Sequence, residues 1–411
     1  MSKARSDAVI PRAGGTFALD PMEDAAAPRR RLATAMREGE RVTPLELFFD
    51  LVFVLAITQC TQLMSDHPSW VGLVRGLIVL GLLWWSWGGY AWLTSVVDPE
   101  EDAVRAVMFV AMAALLVAAL CVPDSFGALG LTFAVAYAFV RAAHIGLFLL
   151  ASRDDPGLRD SVVGLAASSA VGIAILAGGS FLSASGQTIV WGIALLLDMT
   201  GPYFIRPQGW RLVAGHFAER HGLIVIIALG ESIVAIGVGV AGELSFAQGA
   251  AAVIGMGLAA ATWWLYFDVV ALVSAARLER AAVGREQNEL ARDSYSYLHF
   301  PMVAGIVLVA LGLKKTLGAV DDPLDVVPAF ALLGGMAAYL LGHVGFRYRH
   351  IRTVNTRRTA LAAVLLALLP VATAVSALAT VAIVTALVWS LILYETRSYG
   401  EGRARVRHQG T

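Results

Sequence analysis

The sequence predicts an all-α, polytopic integral membrane protein of about twelve transmembrane helices, arranged as two parallel six-helix pseudo-repeats. Composition, the lengths of the apolar runs and the distribution of basic residues carry that expectation. Of 411 residues, 58% are hydrophobic and 15% charged, and the mean hydropathy is +0.70. Ordinary soluble domains do not reach that balance, so lipid is the expected solvent for most of the chain. A helix needs roughly 20 apolar residues to cross about 30 Å of hydrocarbon, which leaves room for about a dozen spans and short loops. The 31 basic and 31 acidic residues cancel, so no polybasic field exists for nucleic acid, which is excluded as a partner.

In chain order, residues 1–43 read as a disordered cytosolic tail: Arg29, Arg30 and Arg31 stand among Pro, Gly and acids, with no apolar stretch long enough for a signal peptide. The first membrane half, 44–203, has apolar runs near 44–64, 71–95, 103–122, 126–151, 159–181 and 187–203. The second half, 204–396, has runs near 212–240, 246–274, 295–316, 325–348, 358–375 and 377–396. Residues 359–394 are almost unbroken apolar sequence; as one helix they would be roughly 54 Å long, too long for one span, so a hairpin is expected near Pro370 to Ser376. The segment Ala275 to Tyr295 has a helical pattern with Glu279, Arg280, Arg285, Glu286 and Glu289 on solvated faces. Residues 397–411 read as a short solvated cytosolic tail. Cys60 and Cys121 lie inside apolar runs and read as small core residues, not as a disulfide or thiolate site.

With the N-terminus inside, every one of the 31 Lys and Arg except Arg75, Lys314 and Lys315 falls on the cytosolic side. An even number of spans keeps this asymmetry, and both termini are expected in the cytosol. Trp84-Trp85 recurs as Trp263-Trp264, 179 positions later, and His144 recurs as His343, 199 positions later. Six spans per half would make the repeats parallel, related by an axis along the membrane normal.

Ionisable residues inside spans cost from about 2.5 kcal/mol upward, so they are expected to face the bundle interior and pair. The first span opens Thr43-Pro-Leu-Glu-Leu-Phe-Phe-Asp50, with Glu46 and Asp50 on one face at i, i+4. The same two acids can be read more simply as stabilising a helix start. In the seventh span, Arg220 and Glu231 fall about 20° apart and His216 about 40° from Arg220, with Glu231 some 16 Å deeper than Arg220. Glu231 is expected to sit near the bilayer midplane and either to find a cationic partner or to be pushed toward neutrality by desolvation, as a proton acceptor or, more simply, as a protonated group bonding two helices together. Arg141 and His144, one turn apart in the fourth span, are expected to approach Glu46 and Asp50. His144 and His343 also read as satisfied helix-end histidines, and Asp198 and Asp268 as interfacial acids. Gly237-Val-Gly-Val-Ala-Gly242 matches G-x-G-x-x-G, but no strand precedes it. Its glycines, like Gly72 and Gly76, read as places where helices approach closely, and the ten tryptophans read as packing and interfacial anchors.

Glu46-Leu-Phe-Phe-Asp-Leu-Val-Phe-Val, followed by His216-Phe-Ala-Glu-Arg-His-Gly and Gly230-Glu231-Ser232, resembles the two signatures of the bacterial low temperature requirement protein A family, over about residues 40–395. The resemblance implies Glu46, Asp50, His216, Glu219, Arg220 and Glu231 as the family-type polar positions. It implies a link to growth in the cold, not a reaction.

The expected function is a secondary transporter or ion permease of the bacterial inner (plasma) membrane. Its substrate- or ion-binding residues would come from Glu46, Asp50, Arg141, His144, His216, Glu219, Arg220 and Glu231, with no cofactor required. The expected partners are the lipid bilayer and a small solute, proton or ion. The alternatives are a membrane-embedded enzyme acting on a lipid or isoprenoid, with Glu46, Asp50, His216 and Glu219 as acid, base or metal ligands, a channel, or a structural membrane component.

Overall fold

A computed structural model describes residues 41–204, 210, 212–240 and 244–409. The expected N-terminal tail lies outside the described residues except for Arg41, Val42 and Thr43. The described helices belong to one packed unit. Helix accounts for 84% of the structure, and no strand forms among the described residues.

The helices in chain order are α1 (Pro44–Asp66), α2 (Trp70–Thr94), α3 (Asp102–Cys121), α4 (Gly130–Ala151), α5 (Pro156–Gly179), α6 (Ala184–Phe204) and α7 (Ala214–Gly239). They continue with α8 (Phe246–Phe267), α9 (Val270–Arg280), α10 (Arg285–Ala291), α11 (His299–Gly318), α12 (Val326–Ile351), α13 (Thr356–Ala367), α14 (Leu369–Ala372) and α15 (Ala377–Gln409). Local chemistry sets several of their starts. Thr43 caps α1 in a capping box with Glu46, with Pro44 in the first turn; Asp155 caps α5 before Pro156; Ser245 and Gln248 form a second capping box on α8.

Ten stretches among the described residues are long and apolar enough to cross a membrane: α1 to α5, α7, α8 with α9, α10 through α11, α12 and α15. The other two expected spans also fall on helices. The 187–203 run is α6, which contains Pro202. The 358–375 run is divided between the 12-residue α13 and the four-residue α14, together about 25 Å of helix. The chain turns back after α14, as the length argument requires, and α15 runs on to Gln409, through most of the expected tail.

One expected span is corrected. Residues 246–274 are not one continuous helix: α8 ends at Phe267, and α9 starts anew at Val270. The reason is amphipathicity, since α9 buries Ser274 and Leu278 while exposing Arg277, Glu279 and Arg280, a pattern that suits a surface-lying helix. Beyond α10, residues Arg292–Tyr297 form a π-helical segment leading into α11, a widened turn that often marks functional regions.

α1 packs on α2, α3, α7 and α11; α3 packs on α4, α4 on α5 and α5 on α6; α2 packs on α4 and α6. In the second half α7 packs on α8 and α11, α11 on α12, α12 on α13, and α15 on α8 and α13. The polar contacts give the direction of α1 against α7. Glu46 meets His216, Asp50 meets Arg220 and Thr58 meets Glu231, so both numbers rise together and the helices run parallel. Cys60 and Cys121 are free and buried, as expected.

The tightest helix approach is α11 on α12, where a Cβ on Gly305 would lie 2.5 Å from the Gly335 carbonyl oxygen, and one on Gly335 would lie 2.7 Å from that of Gly305. Gly76 similarly admits Met64, and Gly239 admits Leu317, in line with the close approach expected of these glycines. Gly335→Val therefore forces two backbones apart. It is predicted to destabilise the protein by about 1–3 kcal/mol or more, read as a lowered unfolding temperature in detergent. Gly88→Ala, whose Cβ meets nothing within 4 Å, is predicted not to lower it.

Candidate functional site

The first turn of α1 prepares the central site. As third residue of the capping box, Glu46 receives the Thr43 backbone N–H at 2.9 Å and the Thr43 hydroxyl at 3.0 Å on Oε2. That arrangement turns Oε1 toward α7, where His216 Nε2 lies at 2.9 Å and Arg220 Nη1 at 3.3 Å. Four residues on, the Asp50 Oδ1 atom accepts from Arg220 Nη2 at 2.5 Å and from Trp87 Nε1 at 2.8 Å. Arg220 Nη1 also donates to Thr94 Oγ1 at 2.9 Å, and the guanidinium lies 5.6 Å from the Trp87 ring centre. Glu46, Asp50, His216 and Arg220 are all 0% exposed. One guanidinium thus joins α1, α2 and α7.

Two carboxylates and one permanently charged guanidinium thus meet in a fully buried cluster, with the titratable His216 imidazole against one of the carboxylates. Among the described residues, no group of three or more His, Cys, Asp and Glu could hold a metal ion. Asp50 Oδ2 has no hydrogen-bond partner and is the acceptor left over.

Glu231 lies farther along the same seam. Thr58, eight residues beyond Asp50 and so about 12 Å deeper, donates its hydroxyl to Glu231 Oε2 at 2.5 Å. Glu231 is buried and forms no ion pair among the described residues; of the outcomes open to it, it bonds helix to helix. Lys314 donates instead to Gln62, at 2.6 Å.

Several sequence expectations change here. Arg141 does not pair with Glu46 or Asp50. Its Nη2 donates to Ser169 at 2.5 Å and to Asp198 at 3.4 Å, and Tyr137 donates to the other Asp198 oxygen at 3.2 Å. The aromatic ring of Tyr90 intervenes, 4.7 Å from Phe49 and 5.4 Å from His144. Asp198 is therefore not interfacial but 3% exposed, because a buried arginine needs a counter-ion close by. Glu219, one residue before Arg220 on α7, is exposed and accepts the Val42 backbone N–H at 3.1 Å, next to the Thr43 cap that holds Glu46, so it stands at the exposed rim and not among the buried acids. His144 and His343 are buried about two turns before their helices end rather than at helix ends; His144 packs against Gly89, and His343 Nδ1 lies 3.1 Å from Arg358 Nη1.

Sequence reasoning missed Trp87, Thr94, Thr58, Ser169 and the second-half pair Arg358–Glu395, whose side chains meet at 2.9 Å. The only signal for the first four was a polar atom within an apolar run, and for Trp87 that signal was absorbed into the packing role assigned to all tryptophans.

Arg220→Met leaves two carboxylates buried with one cation fewer and is predicted to cost about 3–5 kcal/mol. Trp87→Phe removes one donor to Asp50, at about 1–3 kcal/mol. Combining Arg220→Met with Glu46→Gln and Asp50→Asn should restore part of the loss. Denaturation of the purified variants in detergent checks this ordering.

Comparison with known proteins adds the following. Residues 41–393 match the sequence profile of the family described as bacterial low temperature requirement A protein (LtrA). An uncharacterized protein of Rhizobium meliloti (strain 1021) is 30% identical over 310 residues, covering 72% of this chain and 75% of that protein. No solved structure matches.

Proposed function

The chain belongs to the bacterial low temperature requirement A protein family, and we propose that it is a secondary transporter or ion permease whose buried acids couple solute movement to a proton or cation. The observation that carries this reading is the complete burial of the Glu46, Asp50, Arg220 and His216 cluster between α1 and α7. Ionisable residues inside membrane spans are costly and mark ion and proton pathways. For scale, unit charges 4 Å apart interact by about 4 kcal/mol at an effective dielectric of 20, enough to tie helix positions to the charge state.

The proposed architecture is twelve spans in two parallel repeats, 44–203 and 204–396, with the tails 1–43 and 397–411 and both termini in the cytosol of a bacterial inner membrane. Support comes from the parallel course of α1 and α7, which fits five spans, an odd number, between them and so six per repeat. The order of packing supports it too: α3 on α4, α4 on α5 and α2 on α6 correspond to α11 on α12, α12 on α13 and α8 on α15. In each half an arginine and an acid tie the sixth helix to its neighbours, Arg141 to Asp198 and Arg358 to Glu395. Repeats of this kind move against each other around a site between them. Support for growth in the cold, which the family's name implies, would act through this flux.

The test is uptake into proteoliposomes from a mixture of labelled solutes under an imposed proton or sodium gradient. Wild-type protein is expected to accumulate at least one solute, whereas Glu231→Gln and Asp50→Asn should fall to the level of empty liposomes while remaining folded. Uptake unchanged in both variants contradicts the coupling role, and chemical conversion of a lipid without flux would replace the transporter reading by the enzyme one.

A further inference from the structure

On the far side of Tyr90 from the charge cluster lies a cavity of about 110 Å³. α2, α4 and α5 form one side of it, and Asn288, Glu289, Arg292 and Ser296, from α10 and the π-helical segment, form another. Its walls are mostly apolar rings: Trp84, Trp85, Trp92, Trp210 and Phe148, with Leu165. Gly88 opens the wall of α2, since a Cβ there would meet nothing within 4 Å. At Gly89 the helices press together instead, and a Cβ would lie 2.9 Å from His144 Cε1 and 3.2 Å from Arg141 Nη1.

The polar atoms at this cavity are mainly donors with nothing to donate to. Arg141 spends Nη2 on Ser169 and Asp198, while its Nε has no partner. Trp85 Nε1 is buried without a partner as well. The opposing acceptor is Asn288 Oδ1, also unpartnered. The other charged lining groups are already paired, Arg292 with Asp293 and Glu289 with Arg285, both at 2.7 Å. Unspent donors on a buried guanidinium and indole call for an anion, and the tryptophan walls call for an apolar body beside it.

We propose that this cavity binds a small organic acid, its carboxylate on Arg141 and the Trp85 indole N–H, its apolar body against the tryptophans. The assignment names a substrate class for the proposed permease and rests on that reading for its role in transport. A cavity of about 150 Å³ holds benzene, so the body is on the order of one six-membered ring or a branched chain of similar size. Because both halves contribute walls, movement of one against the other would open or close the site.

The experiment is equilibrium binding to the full-length protein in detergent, followed by tryptophan fluorescence and calorimetry, with benzoate, the neutral benzamide and the long-chain dodecanoate as probes. Benzoate is expected to bind roughly tenfold to a hundredfold more tightly than benzamide, the range for a hydrogen bond to a charged group. Two variants localise it. Gly88→Leu projects into the cavity from a position where a Cβ meets nothing within 4 Å, and Arg141→Met with Asp198→Leu removes the ion pair as a unit, so that no charge is left buried alone. Both should abolish the preference while unfolding at temperatures close to that of wild type. Equal affinity for benzoate and benzamide, benzoate binding retained in Gly88→Leu, tight binding of dodecanoate alone, or no binding of any probe overturns the assignment. Benzoate binding in a protein that moves no solute would sink the transporter and leave the site. Coupled flux of some other solute with no benzoate binding would sink the site alone.

Discussion

A guanidinium that cannot shed its charge, buried where no water reaches, must be surrounded by acceptors, and Arg220 organises the centre of this protein for that reason. Its two terminal nitrogens reach Glu46 and Thr94 on one side and Asp50 on the other, which fixes α1, α2 and α7 relative to one another. The capping box at Thr43 contributes from outside the cluster. By holding one Glu46 oxygen at the helix start, it leaves the second for His216 and Arg220. A device that ordinarily only begins a helix therefore also orients an ion pair.

Two further features line up with this centre. The α1–α7 seam continues from the cluster to Glu231, whose contact with Thr58 lies about two helical turns beyond Asp50. In the other direction, Phe49 and Tyr90 connect the cluster to His144 and so to the tryptophan-lined cavity. Charge carriers and cavity are thus close without being merged, with the aromatic ring of Tyr90 between them. A change in the charge of the cluster can bear on the helices that wall the cavity, since α2 carries Trp87, Tyr90 and Thr94 as well as Gly88 and Trp92.

Much of the fold was legible in sequence because lipid imposes a simple rule: apolar runs of span length become helices, and each expected run lies on one. The exceptions have local causes. The amphipathic α9 breaks away from α8, and α13 is short because Pro370, three residues past its end, cannot continue its hydrogen-bond ladder. For the site, spacing put Glu46 and Asp50 on one face of the first span and His216 and Arg220 on one face of the seventh, but it did not say that these two faces meet. It failed where the partner depended on which helices become neighbours. Arg141 chose Asp198 because α4, α5 and α6 enclose it together with Ser169, and nothing in the local sequence of the fourth span announces that. The roles of Trp87 and Thr94 were hidden for the same reason.

The central claim is that the buried cluster holds an exchangeable positive charge, and infrared difference spectroscopy of the purified protein, titrated with acid and separately with sodium, addresses it directly. A carboxyl or imidazole band should change with one of the two titrants in wild type, and that change should be lost in Asp50→Asn and His216→Gln. Difference spectra that are the same in wild type and both variants would mean that the cluster's charge is fixed, and the coupling role of these residues would fall with it.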